Sequence, residues 1–256
     1  MLNSAPIFKK EIGSYFLSPI AYVVITMFLI LSGYFFYSTV AYYSLISLQA
    51  MQNPYMVSGL NLTEGLISPF FANIGIIAML IIPMLTMRLF AEEKKSGTVE
   101  LLFTYPLRDL DILMGKFFAA SVVYLVPIAV TLIYVIFIRS LTELPFGPVL
   151  AGYLGLILMG EAFIALGIFI SSTTENQIIA AIITFGLLLL LWVIGWAANF
   201  TGPLFGKILN ELSLVRHFES FSKGVIDIKD VVFYLLFTFY CLFLTCRVIE
   251  SKRWRG

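Results

Sequence analysis

The sequence predicts an all-α integral membrane protein with six transmembrane helices, on three observations. Of 256 residues, 60% are hydrophobic and only 12% charged, against roughly 25% charged in an ordinary globular domain. The mean hydropathy is +0.98. Six apolar runs follow one another at about 20–43, 66–88, 112–138, 149–172, 178–200 and 230–248, each near the roughly 20 residues that a helix needs to cross about 30 Å of hydrocarbon. Residues 1–256 read as a single transmembrane domain, with no short repeat, low-complexity tract or soluble unit. A net charge of +1 and the lack of a Lys/Arg run give no support to a nucleic-acid partner.

Residues 1–19 read as an interfacial helix. Phe8, Ile12, Tyr15 and Phe16 fall within one third of the helical wheel, with Lys9, Lys10, Gly13 and Ser14 on the other side. That division suits a helix lying in the membrane interface; the alternative is a frayed, solvated terminus. The apolar run that begins near Pro19 is longer than the roughly 7–15 residues of a signal-peptide core, so it is expected to remain as an anchor. Pro83 and Pro127 lie inside the second and third runs, where neighbouring helices in a bundle can absorb a kink.

Orientation follows from the loops. With the N-terminus inside, the cytoplasmic side carries eleven Lys/Arg and the outer side five, namely Arg139, Lys207, Arg216, Lys223 and Lys229. Both termini and the 89–111 loop are therefore expected in the cytoplasm. Tyr34, Tyr37, Tyr42, Tyr43, Trp192 and Trp196 fall toward the outer ends and agree weakly. Residues 201–229 read as an outer helical segment: Ile208, Leu212, Val215, Phe218 and Phe221 recur at spacings of three and four. Such a helix either dips into the outer interface or packs on the ends of its own bundle, and the pattern leaves both open.

On the fourth run, Gly152, Gly155, Gly160 and Gly167 fall within about 140° of one another and predict close approach of a neighbouring helix. Glu161 points the opposite way. A mid-membrane carboxylate is costly unless protonated, paired or facing water, so Glu161 is a candidate intramembrane polar site, for hydrogen bonding or for a role in transport. Cys241 and Cys246 sit in an apolar run and read as small core residues. His217 has no neighbouring Cys or His and reads as a surface or interface residue rather than a metal ligand. No metal or catalytic site is predicted.

No stretch matches G-x-x-x-x-G-K-[ST]; Gly115-Lys116 is followed by Phe117 and lacks the earlier glycine. The chain is therefore not expected to be an enzyme that hydrolyses ATP by itself. From Arg88 to Lys116 it carries five basic and five acidic residues, a balance that suits contact with a soluble protein better than with anionic lipid. Glu92 to Ser96 extend a helix beyond the second run, and Gly97 allows a sharp break. Thr98 can cap a short helix from Val99 to Phe103, which Tyr105-Pro106 ends. Asp109 or Asp111 is then placed to cap the third run.

The stretch RLFAEEKKSGTVELLFTYPL at 88–107, followed by LMGKFFAA at 113–120, resembles the cytoplasmic loop of the type-2 ABC transporter permeases. Counterparts extend over most of the chain. Ser171-Ser172-Thr173-Thr174-Glu175-Asn176-Gln177, HFESFSKGVIDIKDVVFYLLF and the closing RVIESKRW are most similar to the gliding-motility and nitrous-oxide-reductase maturation branch. The resemblance implies a permease subunit, an exporter in a bacterial inner membrane. It implies a separate ABC ATPase on the cytoplasmic face, a second permease chain, identical or not, and room for an accessory subunit. The resemblance puts ATP and Mg in the ATPase, with no cofactor in this chain. Carried onto this sequence, the ATPase-coupling residues are Glu92, Glu93, Gly97, Thr98, Glu100 and Leu101. From another class, a proton-coupled transporter using Glu161 stays open, although clear inverted repeats and paired broken helices are not seen. A membrane scaffold that only recruits proteins stays open as well.

Overall fold

A computed structural model describes residues 4–52, 61–98 and 108–253. Among them, six helices are long and apolar enough to cross a membrane: Pro19–Ala50, Thr63–Lys95, Asp109–Leu141, Phe146–Thr173, Gln177–Ala197 and Ile228–Ser251. The protein is thus an all-α, multi-pass membrane protein. Every apolar run of the sequence has its helix, and the first two extend well past their runs because polar flanking turns continue the helix.

Helix α1, Ala5–Leu17, has a proline in its first turn and stops at Ser18. Ser18 precedes Pro19 and is extended (φ −90°, ψ 140°), the backbone that a following proline enforces. The first span is α2, Pro19–Gln52. The second opens with a π-helical turn, Thr63–Ile67, and continues as α3, Ser68–Thr86, and α4, Arg88–Lys95. The third is α5, Asp109–Val130, and α6, Leu132–Leu141. Spans four and five are α7, Phe146–Thr173, and α8, Gln177–Ala197. Two short helices, α9, Pro203–Leu212, and α10, Leu214–Ser222, precede the last span, α11, Ile228–Arg253.

Spans two and three are interrupted at Met87 and Thr131, four residues beyond Pro83 and Pro127. A proline inside a helix lacks an N–H and crowds the preceding turn, and the irregular backbone survives where neighbours pair its polar groups. At Thr131 the hydroxyl donates to the Ile128 carbonyl at 2.6 Å and meets the Tyr153 hydroxyl of α7 at 3.0 Å.

α7 is the axis of the bundle. In its most apolar stretch 72% of residues are buried, against 22% in α2, α8 and α11. Its glycines receive several neighbours rather than one. Gly152 faces Phe71 and Gly167 faces Thr86, both of α3; Gly160 faces Tyr124 of α5, and Gly155 faces Phe218 and Phe221 of α10. A Cβ at Gly160 would come within 2.1 Å of the Tyr124 ring, which is held by its hydroxyl on the Leu156 carbonyl at 2.9 Å.

The structure refines one amphipathic reading and corrects another. α1 buries Ile7, Glu11 and Tyr15 and packs mainly on α5, whereas the wheel had placed Phe8, Ile12, Tyr15 and Phe16 on the apolar side. Phe8 and Ile12 are only half-buried and Phe16 is exposed, because the inward position is taken by an acid with a buried cation to meet. The 207–221 stripe is not one helix. It breaks at Ser213, whose hydroxyl caps the Arg216 amide at 3.4 Å. α10 buries Leu214, Phe218 and Phe221, while α9 leaves Leu204 79% and Phe205 71% exposed. α10 thus packs on its own bundle, one of the two alternatives left open by the pattern.

Gly160→Ala should destabilise the protein by about 1–3 kcal/mol through overpacking, seen as a lower unfolding temperature in detergent. Gly147→Ala should leave that temperature unchanged, since a Cβ there meets nothing within 4 Å.

Candidate functional site

The end of the bundle that carries α1 and α4 gathers the candidate coupling residues. α4 begins where span two is interrupted, so its first N–H groups need partners from outside the helix. Ser171, near the end of α7, supplies them: its hydroxyl accepts from the Phe90 and Ala91 amides, both at 3.1 Å, and donates to the Met87 carbonyl at 2.9 Å. One donor and two acceptors use its full capacity. The ammonium of Lys94 donates to the Ser172 carbonyl. The serine pair that carried part of the family resemblance thus caps α4 from a neighbouring helix.

The other side of α4 faces a buried ammonium. Lys116, on α5, is 1% exposed. It donates to Glu11 of α1 at 2.7 Å and to the Leu89 carbonyl at 2.7 Å, and it lies 2.8 Å from Glu93. The Glu93 contact is an ion pair whose alignment falls short of a hydrogen bond. Lys10 approaches the other Glu93 oxygen at 3.1 Å. The four residues Lys10, Glu11, Glu93 and Lys116 sum to zero formal charge, as burial requires. Burial alone would lower the Lys10 ammonium, but its attraction to Glu93 and Glu11 outweighs that and raises it. A raised lysine gives its full contribution below its ordinary value of 10.5 and loses it only above, so this contact does not titrate near neutrality.

A second fastening lies one turn away. Tyr15 of α1 donates to the Leu85 carbonyl at 2.8 Å, and the Arg88 guanidinium sits 4.3 Å over the Tyr15 ring. Burial pushes the Tyr15 phenol well above its usual range, with Arg88 acting in the opposite sense. The carbonyls on both sides of the break at Met87 are thus held, Leu85 by Tyr15 of α1 and Leu89 by Lys116 of α5, which Glu11 of α1 pairs in turn.

Beyond this grip α4 projects an exposed tip. Glu92 points outward, whereas Glu93 is turned in to the two lysines. Gly97 ends the helix with φ +70° and open space around it, the left-handed terminator that glycine supplies without strain. The Thr98 hydroxyl turns back to Ser96 at 2.8 Å and to the Glu93 carbonyl at 3.3 Å. Glu100 and Leu101, with the short helix expected from Val99 to Phe103, lie outside the described residues. The cap of α5 is Arg108, without a side-chain bond, and Asp109 and Asp111 stand in the first turn instead, where their charge favours the helix N-terminus.

A family model for the ABC-2 family transporter protein matches residues 45–215, more than half of the chain. The chain belongs to that family. No curated protein matches it. Family membership makes this ABC-2 protein a membrane component of an ABC transporter rather than an ATPase.

Glu161 is not part of the α4 cluster. It meets Ser121 of α5 at 2.5 Å, while the same hydroxyl lies 3.0 Å from the Phe117 carbonyl. One hydroxyl hydrogen cannot serve both acceptors, so both bonds form together when the Glu161 carboxyl carries a proton and donates to Ser121. That arrangement suits hydrogen bonding between spans three and four. At the opposite end of the bundle His217 is buried, not superficial. Its Nδ1 lies 2.6 Å from Asp230, its Nε2 lies 3.0 Å from the Glu211 carbonyl, and the ring stacks on Phe233. Beside it a cavity of about 510 Å³ is lined by both signs of charge, including Lys207, Glu211, Arg216 and Lys229.

Sequence reasoning missed Glu11, Lys116 and Ser171 as functional groups. Their signals were a lone acid on a short amphipathic helix, a lysine about one turn inside an apolar run beside Gly115, and a serine pair at the end of span four. Ser171→Ala should leave the buried Phe90 amide without this acceptor and cost about 1–3 kcal/mol, measured as a lower unfolding temperature in detergent. Glu161→Gln should leave that temperature nearly unchanged, because an amide can keep the contact with Ser121; a large drop would give the carboxyl itself the structural role.

Proposed function

We propose that this ABC-2 permease works as an exporter subunit in a bacterial inner membrane, with both termini in the cytoplasm. A separate ATPase docks on α4 and the segment after it. The observation that carries this reading is the exposed tip of α4, Glu92 to Thr98, fixed from beneath by Ser171 on one side and Lys116 on the other. A rigid lever with an open end can receive a displacement and pass it to spans two, three and four. Beyond Gly97 the sequence carries Glu100 and Leu101, which with Glu92 would offer charge and an apolar side chain to a soluble partner. ATP and Mg belong to that partner.

Closure of the ATPase on its nucleotide changes the affinity of its docking surface for the two arrangements of the membrane domain, and that difference drives the change. No covalent step falls on this chain. The large exposed apolar faces of α2, α8 and α11 leave room for lipid, a second permease chain and an accessory subunit. The similarity of 171–177 and of the C-terminal stretch supports the gliding-motility and nitrous-oxide-reductase maturation branch.

Purification in mild detergent, with mass-spectrometric identification of the co-purifying chains, tests the reading. A P-loop ATPase should accompany the wild type and fall away in Glu92→Lys combined with Glu100→Pro, with membrane insertion unchanged. An intact complex in that variant would remove the coupling assignment.

A further inference from the structure

An interfacial helix needs only an apolar face and a polar one, yet α1 turns its single acid, Glu11, into the protein. Glu11, Lys116 and Glu93 form a continuous chain of contacts at 2.7 and 2.8 Å from α1 through α5 to α4. Lys10 closes it into a ring by returning from Glu93 to α1 at 3.1 Å. Through Glu93 the ring holds the part of span two that follows the break at Met87, and Tyr15 fastens the part before it at the Leu85 carbonyl.

We infer that α1 is a second arm of the coupling lever and that Lys116 is the positioning residue that makes α1 and α4 move as one body. The inference rests on the docking of an ATPase at α4. An apolar contact between these helices would let them slide, since burial is non-directional. An ammonium held by three oxygens fixes both distance and direction, and separating it from two buried carboxylates leaves charges that the surroundings do not solvate. The joint therefore holds both sides of the interruption of span two as a unit, while the hinge lies elsewhere, at the extended Ser18. Motion received at the tip of α4 then reaches span one through α1 and span three through Lys116 itself, instead of bending span two alone.

Spin labels test the joint in the purified complex with its ATPase, after Cys241→Ala and Cys246→Ala remove the native thiols. One pair, Lys9→Cys with Lys95→Cys, reports α1 against α4; a second, Lys9→Cys with Ser251→Cys, reports α1 against the end of span six. All three labelled positions are exposed. Between the nucleotide-free and the ATP- and vanadate-trapped states, the Lys9–Lys95 distance should stay constant while the Lys9–Ser251 distance shifts. In Lys116→Met, and in the milder Glu11→Gln, the Lys9–Lys95 distribution should widen and become nucleotide-dependent while the ATPase stays bound. A Lys9–Lys95 distance that changes in the parent, a Lys9–Ser251 distance that does not, or variants identical to the parent would overturn the inference. Failure to recover any ATPase overturns the docking reading instead. The joint is then judged without nucleotide: a distribution as narrow in both variants as in the parent rejects it, and widening in Glu11→Gln upholds it.

Discussion

The close approach of α3, α5 and α10 to the glycine side of α7 is the constraint on which the rest of the structure depends. In a bilayer, lipid tails solvate apolar side chains as well as other helices do, so association rests on close packing and on polar contacts. Gly152, Gly160 and Gly167 remove the Cβ atoms that would hold α3 and α5 away. Once the backbones are near, bonds of limited reach become possible: Tyr124 to the Leu156 carbonyl, Ser121 to Glu161 and Thr131 to Tyr153. The same approach sets the end of α7 beside α4, where Ser171 meets the amides of the interrupted span.

The two ends of the bundle solve the burial of polar groups in the same way. At the end bearing α1, Lys116 and Lys10 balance Glu11 and Glu93, and Lys116 also donates to the Leu89 carbonyl. At the other end, His217 reaches Asp230 and the Glu211 carbonyl, which can only accept. Nε2 must therefore carry a hydrogen, and the 2.6 Å contact at Nδ1 needs another between the ring and the carboxyl. Imidazolium with carboxylate and imidazole with carboxylic acid are both neutral as pairs. Neither end places an unmatched charge inside the protein through these residues.

The spans were legible because each sums many weak apolar preferences over some twenty residues. The break at Gly97 was legible too, since its cause is local: one residue that adopts the left-handed backbone without a Cβ. What stayed hidden depends on partners distant in sequence. Glu11 meets Lys116 across 105 positions, and Ser171 meets Phe90 across 81; neither pairing leaves a trace in a periodic pattern. The sequence grouped Glu92 with Glu93 as docking residues, and only the packing of α1 separates an outward acid from an inward one. His217 was read as superficial for a similar reason, because the acid that pairs with it lies on the next helix. The buried side of α1 is offset from its apolar side, because a helical wheel ranks side chains by polarity and cannot know that a buried cation awaits one of them.

One dimension of the fold sets the profile of the molecule against its bilayer. α2 runs unbroken over 34 residues, about 51 Å at the usual rise of 1.5 Å per residue. The hydrocarbon slab is about 30 Å thick. The helix is thus about 20 Å longer than the slab is thick, and Tyr42, Leu45 and Leu48 are exposed along its later turns. Spans two and three, at 33 residues each, also exceed that thickness, so the molecule reaches beyond the hydrocarbon layer at more than one place.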